Sequence, residues 1–204
     1  MKKINIGIVL IVLFLIGIVI NLIYVEKQKE EDKVKGLEFV KEYFEVYNKY
    51  SVLEKEDRVL DKKIDLVKYN NYINKMNNEL SNYLYKQRKD FILQEYRKRL
   101  DNQINGKYMM YEYIKEIIGV DSYQINGEYI LMWLNIKVTV DKDNRENPIY
   151  DNEEKRYTGK VKKQKGVDSS KEIILIKRVS KNEYKVVYHT IMDYNFYSFE
   201  DEKI

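Results

Sequence analysis

An uncharged apolar segment near the amino terminus, Ile4 to Val25, constrains this chain more than any other feature. It consists almost entirely of Ile, Val, Leu, Phe and Gly, and it directly follows Lys2 and Lys3. A helix of this length, rising about 1.5 Å per residue, would span roughly 33 Å, and the hydrocarbon core of a bilayer is about 30 Å thick. The segment therefore predicts a transmembrane helix.

Two other interpretations of this segment are a cleaved signal peptide and a buried core helix. A signal peptide has an apolar region of about 7 to 15 residues followed by a cleavage site of small residues. Here the apolar run is longer, and it continues into Tyr24, Val25, Glu26 and Lys27 without a pattern of small residues. The sequence therefore favours an uncleaved anchor.

The orientation of such an anchor depends on the basic residues at its two ends. Lys2 and Lys3 lie on the short side, whereas the flank 26–35 mixes four lysines with four acidic residues, so a count of lysines is ambiguous. A short tail crosses no barrier during insertion, and a long carboxy-terminal domain can be translocated largely regardless of its charge. We expect a single-pass protein of the cell membrane with a cytoplasmic amino terminus and an extracytoplasmic domain.

Composition excludes several classes of function. The chain has no cysteine and a single histidine, His189, which excludes disulfides, thiolate metal sites and a histidine-based zinc site. Its 37 basic and 33 acidic residues are too evenly balanced for a nucleic-acid-binding protein. Alanine is absent while Lys, Asn, Ile and Tyr are abundant, which is typical of a low-GC, Gram-positive bacterium. We expect no metal, no cofactor and no nucleic-acid partner.

Charge is nevertheless concentrated in local blocks. Basic residues cluster over 86–99 and again over 160–165, and acidic residues gather over 141–154. Such blocks are either solvated surfaces or complementary patches that join copies of the protein or a partner.

The chain divides into a stub and transmembrane helix over 1–25, a linker over 26–36, and one folded domain over 37–204. Apolar residues at helical spacing predict an amphipathic helix from Lys33 to Tyr50. Ser51 and Glu54 form the pattern of a capping box, which predicts a second helix over 52–67. Two packed helices then follow up to the stop signal Asn105-Gly106, and a short helical piece covers 108–118.

Beyond this point the periodicity changes to that of strands. Asn126-Gly127 is a typical hairpin turn, and apolar residues alternate along the following strand. One face of this strand is wholly apolar: Ile130, Met132, Leu134, Ile136, Val138 and Val140. Three more strands are expected over 156–163, 171–179 and 184–193. Helices followed by antiparallel strands place the domain in the α+β class.

This order resembles the NTF2-like extracytoplasmic domains of the VirB8-like family of conjugation and type IV secretion proteins. The resemblance lies in the helix Leu37 to Phe44, the Asn126-Gly127 hairpin, the strand Tyr129 to Val140 and the closing strand Tyr184 to Met192. It implies several helices packed on a curved antiparallel sheet. It also implies a non-enzymatic scaffold that is tied to the membrane and self-associates within a transfer or secretion channel.

Candidate site residues are few. His189 and Asp193 share one face of the last strand but lie about 13 Å apart, so they are not a catalytic pair, and His189 is expected to be structural or exposed. Tyr129, Leu131 and Trp133 lie on the second face of the long strand. Either another helix covers these three residues as core, or they line a concave pocket that receives a partner.

We therefore expect a non-enzymatic, membrane-anchored scaffold of a bacterial envelope assembly, in conjugative transfer or type IV secretion. Its expected partners are the membrane, further copies of itself and other envelope or channel subunits. The alternative is a membrane-anchored ligand-binding or regulatory module that uses a pocket near Trp133.

Overall fold

The computed structural model describes residues 6–60 and 63–198, with side chains over 13–60 and 63–191. Three helices come first: α1 (Ile6–Lys49), α2 (Leu66–Ser81) and α3 (Lys89–Ile104). Six strands follow: β1 (Tyr108–Asn126), β2 (Tyr129–Arg145), β3 (Ile149–Asp151), β4 (Arg156–Thr158), β5 (Val161–Ser180) and β6 (Glu183–Ser198). Lys2 and Lys3, on which the predicted orientation depends, lie outside the described residues.

The prediction of a membrane anchor needs correction. Of the helices in the described part of the chain, none is both long enough and apolar enough to cross a membrane. This finding contradicts the transmembrane helix, the single-pass location in the cell membrane and the two-sided orientation of the chain.

The carboxy-terminal half of α1 is the central helix of the fold. It continues without a break through 26–36, the segment predicted as a linker. The predicted apolar stripe is confirmed, since Val40, Tyr43, Phe44, Tyr47 and Tyr50 are all buried.

The predicted helix over 52–67 is wrong. The Ser51 hydroxyl donates to the Tyr47 carbonyl at 2.8 Å, back into α1. In the described part of this segment, a short 3-10 turn forms at Lys55–Asp57 and α2 begins at Leu66. The next helix, α2, is capped instead by Asp65, which accepts from the Val67 amide at 2.8 Å.

The helical piece predicted over 108–118 is also wrong, because these residues form the first half of β1. The Asn126-Gly127 turn is confirmed: it joins β1 to β2, and Gly127 has a φ of 58°. Glycine adopts this conformation without the steric cost that a side chain would bring.

The main sheet is antiparallel, with strand order β1-β2-β5-β6, and β3 and β4 form a separate hairpin. The apolar face of β2 packs against the helices in one continuous core, so the chain is an α+β protein with helices on an antiparallel sheet. Three register shifts along β1 bend that strand locally.

Two of the charged blocks pair with each other inside the chain. Asp141 lies opposite Lys165 and Asp143 opposite Lys163 in the β2–β5 register, and the Asp141 carboxylate is 3.4 Å from the Lys165 ammonium. Cross-strand pairs of opposite charge favour this register. Part of each block is therefore paired within the chain.

Candidate functional site

A cavity of about 300 Å³ lies on the helix-covered side of the sheet, between α1, α3, β1 and β6. Its floor carries polar side chains: Tyr43, Tyr47, Tyr96, Lys115 and His189. Its mouth is formed mainly by α3 and β6, through Phe91, Ile92, Glu95, Arg99 and Ile191.

Simple periodicities bring these residues together. Tyr43 and Tyr47 are one turn apart on α1, and Tyr96 and Arg99 are one turn apart on α3, so each pair shares a helix face. On the sheet, side chains alternate between the two faces. This alternation turns Lys115 of β1 towards the helices, as it does the neighbouring Val138 of β2.

A buried carboxylate organises the floor. Glu172 of β5 is 0% exposed and accepts three hydrogen bonds: from Lys115 Nζ at 2.7 Å, His189 Nε2 at 2.7 Å and Ser170 Oγ at 3.0 Å. Burial alone would raise the pKa of Glu172. The bonds from His189 and Lys115 outweigh burial and lower this pKa from 4.5 to about 2. Glu172 is therefore ionised at neutral pH.

His189 is neutral in this setting. Burial lowers its pKa below the ordinary value, and the nearby Lys115 ammonium lowers it further against the opposing effect of Glu172. An ionised carboxylate only accepts hydrogen bonds, so Nε2 of His189 must carry the proton that is donated to Glu172. Nδ1 then accepts from the Tyr43 hydroxyl at 3.3 Å.

The chain of hydrogen bonds continues to the cavity wall. Because Tyr43 donates to His189, the Tyr96 hydroxyl must donate to Tyr43, at 3.1 Å. Burial raises the pKa of the Tyr43 hydroxyl, which keeps it protonated. We call this connected set the floor network: Lys115, Ser170, Glu172, His189, Tyr43 and Tyr96.

Arg99 and Tyr47 form a second polar group. The Arg99 guanidinium donates to the Tyr47 hydroxyl, and the Lys115 ammonium lies 4.7 Å from the Tyr47 ring centroid. Burial raises the pKa of Tyr47, but the positive charges of Lys115 and Arg99 lower it more, so this pKa lies below its ordinary value. Two cationic side chains, Lys115 and Arg99, thus lie beside Tyr47 on this side of the cavity.

The three residues singled out from the sequence lie elsewhere. Tyr129, Leu131 and Trp133 occupy the opposite face of β2, where their neighbours on β5 include Ile173 and Leu175. We call these five residues the outer face. Tyr129 is 40% exposed, Leu131 and Trp133 are half-buried, and none of the three lines the cavity.

Sequence reasoning missed Glu172 and Lys115, although one signal for Glu172 was available. The buried positions of β5 alternate through Ser170, Glu172, Ile174 and Ile176, so a glutamate stands at a core position of a strand. A charged residue at such a position requires a partner. Asp193, which was considered above as a catalytic partner of His189 on the same strand, has a side chain outside the described residues.

Metal binding has no support in the described part of the chain, where no group of three His, Cys, Asp or Glu side chains could hold an ion.

Comparisons with known proteins identify no relative: no family model, no curated protein and no solved structure matches this chain. The resemblance to the VirB8-like family therefore stays a prediction.

Proposed function

We propose that this protein binds a small molecule in the cavity between α1, α3 and β6. The observation that carries the proposal is the combination of a cavity of about 300 Å³ with apolar side chains at its mouth and a buried polar floor. Ligand sites in proteins are typically concave, about 300 to 1,000 Å³ in volume, and apolar except for a few fixed polar groups.

The floor network favours binding over catalysis. Glu172 already accepts three bonds, and His189 uses both ring nitrogens on Glu172 and Tyr43. No lone pair of His189 is thus left to take a proton from a ligand. The network fixes the shape and polarity of the floor, which are the properties that a binding site needs.

The free-energy cost of burying the Lys115–Glu172 ion pair also supports a functional role for the floor network. Moving a charged pair out of water is expensive, and apolar residues of similar volume often stabilise a fold equally well. Lys115 and Glu172 are nevertheless almost fully buried, with side chains 1% and 0% exposed. A binding cavity that needs a polar floor would account for a buried ion pair at this position.

The test is calorimetric titration of the full chain with a neutral aromatic probe, 2-naphthamide. The variant Ile191→Trp places a large ring at the mouth, and binding should be lost. The control Tyr188→Trp places the same residue type on the same strand but outside the cavity lining, and binding should be retained. Equal binding by both variants would contradict the proposal. Because Leu13 to Val25 expose apolar side chains, each titration contains a non-ionic detergent and has a detergent blank.

Self-association is a second candidate function, and the outer face favours it. Its aromatic and aliphatic side chains form a contiguous patch on one side of β2 and β5. Apolar patches of this kind frequently mark contacts between proteins, and two copies related by a two-fold axis would match patch to patch.

Sedimentation velocity tests this second candidate. Trp133→Glu should shift the full chain from dimer to monomer because it places a charge at the centre of the patch. Thr139→Glu, on the same strand and face but six positions away, is the control and should leave the dimer intact. A monomeric native chain at high concentration would rule out this candidate.

A further inference from the structure

We infer that the ligand of the cavity is a small monocarboxylate with an apolar or aromatic body, held by the Arg99 guanidinium. This inference rests on the proposed function and adds the chemical class of the ligand.

The charged side chains around the cavity leave Arg99 without a carboxylate partner. Lys115 and Glu172 cancel each other at 2.7 Å, and neutral His189 adds no charge. Arg99 is the other cation of the lining, and among the described residues no carboxylate forms an ion pair with it, the lining residue Glu95 included. A negatively charged ligand group would give the guanidinium the ion-pair partner that it lacks.

The geometry of Arg99 selects the kind of anion. A guanidinium has five N–H donors in a planar fork, which matches the two oxygens of a carboxylate. One donor is bound to the Tyr47 hydroxyl, and this bond fixes the fork against the cavity wall. The Tyr108 hydroxyl donates to the Arg99 carbonyl at 3.1 Å, so the backbone at this position is held as well.

The remaining surface of the mouth selects the body of the ligand. Phe91, 62% exposed, Ile92 and Ile191 present apolar side chains to the same cavity that Arg99 reaches. Burial of such a surface by an aromatic or branched aliphatic body is favourable because it removes apolar area from water. A ligand with one charged end and one apolar end would contact Arg99 and the apolar side chains of the mouth at the same time.

Glu95 limits the ligand to a single negative charge. It lies one turn before Arg99 on α3, is exposed, and lines the same mouth. A second carboxylate at the outer end of the ligand would meet this like charge, which is unfavourable. The site should therefore discriminate against dicarboxylates.

The experiment compares 2-naphthoate with its neutral isostere 2-naphthamide by calorimetric titration of the full chain at neutral pH. A charged hydrogen-bonded pair should make the acid bind about tenfold more tightly than the amide. In Arg99→Met the ratio of the two affinities should fall to about one, and in Arg99→Lys it should be intermediate. Arg97→Met is the control, because Arg97 lies outside the cavity lining and contacts Asp101 at 3.9 Å. Here the tenfold ratio should persist.

The outcomes separate the inference from the proposed function. An acid that binds no better than the amide in the native chain would overturn the inference alone, as would a ratio that survives Arg99→Met. Tighter binding of 2,6-naphthalenedicarboxylate than of 2-naphthoate would overturn the limit to one charge. Binding of neither probe would overturn the proposed function and the inference together.

Discussion

Glu172 links the stability of this protein to the shape of its cavity. Its carboxylate bonds Lys115 of β1, His189 of β6 and Ser170 of its own strand, so one buried charge joins three strands of the sheet. A buried charge is tolerated when every neighbouring donor is used, and it becomes costly when one partner is removed. Glu172 therefore shapes the floor of the cavity, and its loss should also destabilise the fold strongly.

Replacement of this carboxylate should therefore be severe. Glu172→Gln leaves the Lys115 ammonium buried without its counter-charge, and we expect the free energy of unfolding to fall by about 3 kcal/mol in chemical denaturation. The control is Glu116→Gln, which removes an exposed pair with Lys137 on the same sheet, 3.1 Å apart. Exposed pairs contribute little, so the control should lose less than about 1 kcal/mol. Equal losses in the two variants would contradict the buried role of Glu172.

Acid should destabilise the fold through the same residues. The pKa of Glu172 falls from 4.5 to about 2 on folding, and the pKa of His189 also falls. In both cases the unfolded chain binds more protons than the folded chain, so stability decreases as pH falls. The loss should begin near pH 6.5, where an unfolded histidine titrates, and continue towards about pH 2.

Denaturation as a function of pH checks this prediction. The native chain should lose stability steadily between about pH 4.5 and 2, whereas Glu172→Gln should lose less over that interval because it lacks the titrating carboxyl. Parallel curves for the two proteins would show that other carboxyl groups control acid unfolding.

At the level of elements, strand β2 separates two surfaces. Its buried face packs on the helices, while Trp133 lies on the outer face. Trp133→Ala should therefore leave the affinity for 2-naphthamide within about twofold of the native value. Phe91→Ala should weaken it several-fold, because Phe91 lines the mouth. Calorimetric titration distinguishes the two, and a greater loss for Trp133→Ala would move the binding site to the outer face.

Elements with a strong local pattern were predictable from the sequence. The α1 stripe and the alternation along β2 follow from one periodicity each, and the turn at Asn126-Gly127 follows from the φ that it requires. The helix predicted over 52–67 was wrong because a two-residue capping pattern does not determine a helix by itself: the Ser51 hydroxyl bonds back to Tyr47, and Asp65 caps α2. The helical piece predicted over 108–118 was wrong because a short apolar and aromatic run fits a helix or a strand equally well. Pairing with β2 in the sheet determines that it is a strand.

The site was less predictable than the fold because its residues meet only through tertiary contacts. Lys115 and Glu172 are 57 positions apart in the chain, and Tyr43 and His189 are 146 apart. Residues that lie so far apart in the chain form no sequence motif of fixed spacing. The sequence could indicate that Glu172 needed a partner, but the strand order β1-β2-β5-β6 determines which residue that partner is.

For the whole molecule, the cavity lies where the two layers of the fold meet. The helices cover one side of the sheet, and α1, α3 and β6 enclose the cavity at that boundary. A ligand there would contact both layers at once. Its binding should thus stabilise the folded chain as a unit, since unfolding of either layer would destroy the site.

Thermal unfolding tests this coupling. A ligand that binds only the folded state at one hundred times its dissociation constant adds about 2.7 kcal/mol to the free energy of unfolding. For a chain of this size, 1 kcal/mol corresponds to roughly 2 to 4 °C, so 2-naphthoate should raise the Tm by about 5 to 10 °C. At the same concentration, the cavity-blocking variant Ile191→Trp should show no rise, whereas Tyr188→Trp should respond like the native chain. A rise in Tm that is equal in both variants would place the naphthoate site outside the cavity.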